Sequence, residues 1–226
     1  MKFGVLGTGV VGRTLSEKLA ALGHDVTMGT RNVEAALART EPDRFGGPPL
    51  GEWLAAQEAV QLGTFEQAAA AGDVIINAVA GTASLDALRA AGAENLSGKV
   101  LVDISNPLAF TPGEPMTLAV CNDDSLAEQI QRAFPEARVV KTLNTVTARL
   151  MVEPGLVPGE HSVFVSGDDT DAKAQVVRLL EDEFGWNSVI DLGDLTTARS
   201  AEMFLPLWLN LMMVQGTPLF NVQIVK

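Results

Sequence analysis

There is no tyrosine in this chain. No phenol is therefore available as a proton donor, and a Tyr–Lys relay of the short-chain dehydrogenase kind is excluded. Histidine is nearly as scarce, with two copies, His24 and His161. Cysteine occurs once, as Cys121. A single thiol cannot close a disulfide within the chain, which points to a reducing, cytoplasmic setting. With no histidine expected beside it, Cys121 reads as buried small-residue packing rather than a nucleophile. Histidine and cysteine this sparse give no metal-ligand spacing. Bases are few as well: 16 Lys and Arg face 28 Asp and Glu, a formal charge of −12. Neither nucleic acid nor an anionic membrane surface suits such a chain as a general partner, because both carry negative phosphates. Long apolar runs are missing too. The longest, Met203 to Val214, contains Pro206 and Asn210 and is too short to span a bilayer. Lys2 ahead of an apolar run loosely resembles a leader, but glycines interrupt that run at once. A soluble protein is expected.

What is present begins at the N-terminus. The apolar run Phe3 to Leu6 reads as a buried parallel strand, and Gly7-Thr8-Gly9-Val10-Val11-Gly12 follows it directly, leading into a helical stretch to Leu22. This is G-x-G-x-x-G spacing between a strand and a helix, the order that dinucleotide binding requires. Gly7 makes the tight turn, Gly9 lets the backbone approach a pyrophosphate, and Gly12 lets the helix pack on the strand. The free N–H groups and positive end of the helix then hold the phosphates. The second strand, His24 to Met28, ends at Gly29-Thr30-Arg31-Asn32. A site for NAD places Asp or Glu about 20 residues past the glycines to bind the ribose 2′-hydroxyl. Here Asp25 comes too early and Glu34 falls in the next helix, while Thr30 and Arg31 occupy the place itself. A hydroxyl and a guanidinium bind a 2′-phosphate that a carboxylate would repel. NADP(H) is the expected cofactor.

Farther along, strands and helices alternate, the pattern of a parallel sheet covered on both faces. Val33 to Thr40 reads as a helix, Pro42 to Pro49 as a Gly/Pro-rich loop that includes Phe45, and Val60 to Leu62 as a strand. Thr64 with Gln67 opens an Ala-rich helix as a capping box. Further strands are expected at Asp73 to Val79, Lys99 to Ile104 and Arg138 to Lys141. Helices are expected at Ser84 to Ala91 and after a second capping box, Ser125 with Glu128. Pro154-Gly155 and Pro158-Gly159 punctuate the chain and divide it into a dinucleotide-binding part, 1–153, and a small C-terminal part, 154–226. The latter holds a strand at Ser162 to Ser166, a helix at Thr170 to Phe184, a strand at Val189 to Leu192 and a long apolar helix from Thr196 to Val214. The fold class is α/β: a Rossmann doubly wound parallel sheet with a small C-terminal α/β domain.

Ligands of such sheets lie at the carboxyl ends of the strands. A nicotinamide should therefore be lined by Ala78-Val79-Ala80, by Ser105-Asn106-Pro107 and by Asn144-Thr145. These are small residues, amides and hydroxyls, with little capacity to donate a proton. His24 opens a strand and belongs at the opposite edge, and His161 reads as exposed. Lys141 is the candidate general acid, or else a lysine that neutralises phosphate or a buried carboxylate. The chemistry that suits this inventory is hydride transfer to an acceptor needing little proton management, such as a flavin or deazaflavin ring. Two other readings stay open: reduction of a small carbonyl or imine through Lys141, and a non-catalytic NADP-sensing module.

Gly7 to Gly12, Gly29-Thr30-Arg31, Ser105-Asn106-Pro107-Leu108, Lys141-Thr142-Leu143-Asn144-Thr145 and Val165-Ser166-Gly167-Asp168-Asp169 occur in one order. In this the chain resembles the NADPH-dependent coenzyme F420 reductases over essentially its whole length. It is also similar to the reductase domain of the six-transmembrane ferric reductases. The resemblance implies NADP(H) at Thr8 to Val11 and at Thr30-Arg31. It implies a deazaflavin stacked on the nicotinamide in a cleft bordered by Asn144 and Thr145, a C-terminal part that supplies acceptor cleft and dimer contacts, and a homodimer. Asn144-Thr145 is closer to the ferric reductase domain than to the archaeal reductases, which carry a His near that position. The acceptor therefore stands open between coenzyme F420 and a flavin.

Overall fold

The computed structural model describes residues 1–42, 46–111, 113 and 115–225. Phe45 of the Gly/Pro-rich loop lies outside them. The first half of the chain runs β1 (Lys2–Leu6), α1 (Val10–Ala21), β2 (Asp25–Thr30), α2 (Val33–Leu37), α3 (Leu50–Ala55), β3 (Val60–Thr64), α4 (Phe65–Ala71), β4 (Val74–Asn77), α5 (Gly81–Ala91) and α6 (Ala93–Leu96). The second half continues with β5 (Val100–Asp103), β6 (Leu108–Ala109), β7 (Thr117–Leu118), α7 (Leu126–Ala133), β8 (Arg138–Thr142) and α8 (Ala148–Val152). It ends with β9 (Val163–Ser166), α9 (Thr170–Arg178), β10 (Val189–Gly193), α10 (Ala198–Met203) and α11 (Leu205–Gln215).

Eight strands form one sheet in the order β10-β9-β8-β5-β4-β1-β2-β3. From β3 to β8 all pairs are parallel, the doubly wound order in which the chain reverses direction between β1 and β4. The continuous apolar sequences of β4 and β5 follow from burial on both faces. Along β4, Val74 and Ile76 join the core that holds Leu15 and Leu19 of α1, while Ile75 joins the core that holds Leu88 of α5 and Ile130 of α7. The strands then finish in buried polar residues, Asn77 on β4, Asp103 on β5, and Lys141 and Thr142 on β8. That change of character marks the edge where a site belongs.

The segment after Pro154 adds to this sheet rather than starting a second one. β9 pairs antiparallel with β8, Lys141 opposite Ser166, and β10 pairs parallel with β9. Trp186, buried to 2% exposure, seals the junction by donating its indole N–H to the Met151 carbonyl of α8 at 2.9 Å.

Several local expectations change. The helix expected from Thr196 to Val214 is two helices meeting at Phe204, because Pro206 has no N–H to return to the Glu202 carbonyl. Thr64 and Gln67 form the full capping box. Ser125 accepts the Glu128 N–H, but the Glu128 carboxylate takes the Ser125 hydroxyl and Arg199 instead of closing the second box. α5 starts three residues earlier than expected, at Gly81, with no side-chain cap. Short α3, α8 and the β6–β7 hairpin were not evident from periodicity, since helices of five or six residues and strands of two are too short to display it.

Trp186→Phe keeps an aromatic ring but deletes the donor and part of the indole's volume, leaving a buried carbonyl unpaired. We expect a loss of about 1–3 kcal/mol in urea denaturation, and an unchanged midpoint would show that water replaces the indole.

Candidate active site

The three glycines of the first turn do three different things. Gly7 has φ of +118°, in the region that side-chain-bearing residues avoid, and a Cβ there would lie 2.7 Å from the Ala78 carbonyl oxygen. The loops after β1 and β4 therefore touch where the strand order reverses. A Cβ on Gly12 would come within 2.0 Å of the Gly7 carbonyl oxygen, so α1 packs on its own turn only with glycine there. Gly9 is the opposite case: a Cβ would meet nothing within 4 Å. It is the N-cap of α1, with extended backbone and no side chain capping the first turn. Thr8 and Val11 are half-buried, and Gly9 and Val10 are exposed. The uncapped N–H groups, the positive helix end and the open space above Gly9 fit a diphosphate.

Beside this turn Thr30 closes β2, half-buried, and Arg31 follows it, exposed. A cavity of about 620 Å³ opens next to the turn, lined among others by Thr8, Gly9, Arg13, Arg39 and Leu50. Arg13 and Arg39 were not anticipated. Arg13 donates its Nε to the Thr8 carbonyl at 3.0 Å and its Nη1 to the Pro48 carbonyl at 2.6 Å, with the guanidinium 5.8 Å from the Trp53 ring centre. It thereby ties the α3 segment to the glycine turn. Its place immediately after Gly12 was the available signal.

The loops after β4, β5 and β8 are brought together as expected. Gly81 lies so close to the β5 loop that a Cβ would meet the Asn106 carbonyl oxygen at 2.0 Å. The Asn106 amide donates to the Asn144 carbonyl at 2.9 Å, and the Asn144 amide donates to Asn106 Oδ1 at 3.0 Å and to the Ala201 carbonyl of α10 at 2.8 Å. Ala80 is exposed, Ala78, Val79 and Asn106 are half-buried, and Pro107, Asn144 and Thr145 are buried. Asn144 thus supports the floor through its neighbours. Leu143, just before it, has φ of +59°, a left-handed conformation costly for a branched side chain and held here by burial.

Lys141 is locked below this floor. Its Nζ reaches Asp103 Oδ2 at 2.7 Å, the Ser105 carbonyl at 2.6 Å and Glu202 Oε1 at 2.8 Å. Three ammonium hydrogens meet three acceptors, and the side chain is 0% exposed. Burial pulls its pKa down, but Asp103 and Glu202 outweigh burial and hold it above the ordinary lysine range. Of the two roles expected for this lysine, the geometry realises the one beside buried carboxylate. It leaves no donor for a substrate. Glu202 is raised above the ordinary glutamate range, chiefly by burial, because one ammonium cannot compensate two buried carboxylates.

Two expectations about single residues need correction, and a third holds. Cys121 is exposed rather than packed inside, since it lies in the loop before α7. His161 is half-buried, its Nε2 near the Pro154 and Val157 carbonyls and its Nδ1 near the Asn221 amide. It staples the punctuated linker instead of facing solvent. His24 is at the amino end of the sheet, as expected, against Glu183.

The model for the family described as NADP oxidoreductase, coenzyme F420-dependent, matches residues 2–107. A solved structure from Arthrobacter sp. FB24, provisionally named an F420-dependent NADP-reductase, is 56% identical over 100% of both chains, with a TM-score of 0.96. This chain belongs to the coenzyme F420-dependent NADP oxidoreductase family. The F420-dependent NADP reductase of Methanothermobacter thermautotrophicus is 29% identical, with 93% of this chain matched to 89% of that protein. Metalloreductase STEAP3 of Rattus norvegicus is 33% identical over 92% of this chain, which spans 38% of the metalloreductase's length. The chain is accordingly an NADP-dependent oxidoreductase with a Rossmann-like fold. No helix among the described residues is long and apolar enough to cross a membrane.

Two outcomes follow. Gly12→Ala should destabilise the fold by about 1–3 kcal/mol through overpacking, whereas Gly9→Val should leave the urea midpoint nearly unchanged and abolish dinucleotide binding by calorimetry. Binding retained in Gly9→Val would make the turn purely structural. Lys141→Met strands two buried carboxylates and should cost about 3–5 kcal/mol near neutral pH. A raised acid pKa lends stability below its unfolded value that is lost as pH rises through the folded one. The Lys141→Met deficit should therefore shrink on acidification, as the stranded Glu202 takes up a proton. A deficit independent of pH would exclude a charge origin.

Proposed function

We propose that this enzyme passes a hydride between NADPH and coenzyme F420, with a flavin as the second acceptor. The observation that carries the reading is the chemistry of the sheet edge. Ala78, Val79, Ala80, Asn106 and Pro107 offer small surfaces and amides to a planar ring, with Asn144 and Thr145 beneath, and the nearby ammonium of Lys141 is fully committed. Such an edge orients rings and moves no proton, which suits an acceptor whose own ring takes the hydride. Reduction of a carbonyl or imine through Lys141 has no geometric support.

Thr8, Gly9, Val10, Val11 and Gly12 would hold the diphosphate, and Thr30 and Arg31 the 2′-phosphate. NADPH, when bound, supplies the hydride from its nicotinamide. The family name, together with the names of the Arthrobacter and Methanothermobacter relatives, supports F420 as acceptor. A flavin stands second on the resemblance to the ferric reductase domain alone; the STEAP3 likeness adds the name of a metalloreductase. We also infer that residues 154–226 furnish the acceptor cleft and the contacts of a cytoplasmic homodimer. Leu207, Met213 and Val214 of α11 support this, being 52%, 77% and 82% exposed on an apolar helix.

The deciding assay follows NADPH absorbance with F420, FMN and FAD in parallel. Rapid oxidation with F420 is expected; oxidation with flavins alone would transfer the acceptor assignment, and silence with all three would overturn the reading. Arg31→Ala should raise KM for NADPH by a factor equivalent to losing about 1.5–3 kcal/mol of charged hydrogen bonding and leave NADH nearly unaffected. Equal losses with both cofactors would refute the 2′-phosphate contact.

A further inference from the structure

Glu202 lies far along the chain from every glycine and loop motif, yet it is almost fully buried within hydrogen-bond reach of the sheet edge. Its carboxylate accepts the Leu126 and Ala127 N–H groups at the start of α7, at 2.8 and 3.2 Å, as well as the Lys141 ammonium. Lys141 in turn holds the Ser105 carbonyl, one residue before Asn106. Asp103 Oδ1 accepts the Ser105 N–H, the Ser105 hydroxyl and the Asn77 amide at 3.2, 2.6 and 2.9 Å, and Asn77 also reaches the Ser84 hydroxyl of α5 at 3.1 Å. The residue before Glu202 makes a second link, its carbonyl accepting the Asn144 amide that pairs with Asn106. One peptide of α10, Ala201–Glu202, thus grips the loop after β8 directly, the loop after β5 through Lys141 and Asn144, and the end of β4 through Lys141, Asp103 and Asn77.

We propose that Glu202 and Lys141 are positioning residues for hydride transfer: through Asp103, Ser105 and the Asn106–Asn144 pair they hold the floor under the nicotinamide in register with the C-terminal helix. The proposal rests on the reading of that edge as the nicotinamide site. Stability alone does not call for the arrangement. Two carboxylates and one ammonium taken out of water incur a large desolvation cost, and apolar side chains of similar volume commonly fold as well or better. What apolar side chains do not supply is direction. Each bond here ends on a particular backbone, amide, hydroxyl or carboxylate atom, fixing where Asn106 and the start of α5 stand. Misplacement of reacting groups by about 1 Å costs roughly 10²-fold in rate, so a small slip of α10 reaches the chemistry while the phosphate turn, built on α1, stays unmoved.

The test is Glu202→Gln, with Glu202→Asp beside it, the latter keeping the charge and shortening the reach. Two readouts are used: the Kd and nicotinamide fluorescence anisotropy of bound NADPH, and the single-turnover rate with the acceptor that the unaltered enzyme uses. The expected result is an NADPH Kd within about threefold, lowered nicotinamide anisotropy, and hydride transfer slowed by about 10²-fold in fully folded protein. A merely structural role would lower the folded fraction and leave anisotropy and rate per folded molecule intact, in either variant that folds; that result overturns the proposal. If the unaltered enzyme binds NADPH but reduces no acceptor, the functional reading fails, and the anisotropy comparison alone still decides between a positioned and an unpositioned ring.

Discussion

A buried ammonium group is the constraint on which the arrangement of this protein turns. Lys141 stands near the end of β8, where the parallel sheet passes into the antiparallel pair β8–β9, and its three hydrogens end on β5, on the loop after β5 and on α10. Such a group is tolerable in a protein interior only when every hydrogen has an acceptor and the surrounding charge is opposite. That requirement fixes Asp103 and Glu202 relative to each other, and so the C-terminal helices relative to the Rossmann sheet. The segment after Pro154 therefore cannot drift as an independent lobe near this edge.

The two ends of the inferred dinucleotide site are built on different physics. At the phosphate end the structure supplies an absence of atoms: no Cβ at Gly9, no side-chain cap on α1, and open space above. Backbone N–H groups left unpaired within the protein are stabilised by whatever anion arrives. At the other end the Asn106 and Asn144 amides of the floor are engaged with protein partners. Asn106 and Asn144 bond each other, Asn77 bonds Asp103, Ser84, Ser105 and the Val79 N–H, and Lys141 has an acceptor for each hydrogen. The first end gains by binding and the second by already being in place, the division expected when binding energy is used to deliver a ring to a preorganised surface.

Much of this was legible in the sequence because it is local. The glycine spacing, the end of β2 at Thr30-Arg31, the buried strands at Val74 and Val100 and the cap at Thr64 each depend on residues a few positions apart. What was not legible is long-range. Nothing near Glu202 in the chain announces that it meets Lys141, 61 residues away by the numbering, and an isolated Glu in an apolar stretch reads equally well as solvent-exposed. Cys121 and His161 were misplaced for a related reason: burial of a single residue in a loop depends on what the rest of the chain lays over it. The break at Phe204, by contrast, was present in the sequence as Pro206 and outweighed by the apolar run around it.

The same distinction explains why Lys141 first read as a proton donor. By position alone, a lysine at the carboxyl end of a central strand is as well placed for catalysis as any side chain in the fold. Its competence is decided by its partners. General acids work when their pKa lies near the operating pH, and a lysine reaches that range by burial without compensating charge. Here the two carboxylates act in the opposite direction and outweigh burial, so the ammonium is held protonated and immobile. Oxidation of a dihydronicotinamide moves a hydride and asks no protein group to give up a proton to the donor ring. A site whose lysine is a fixed structural charge offers orientation rather than proton transfer, which is what the proposed transfer between two redox rings asks of it.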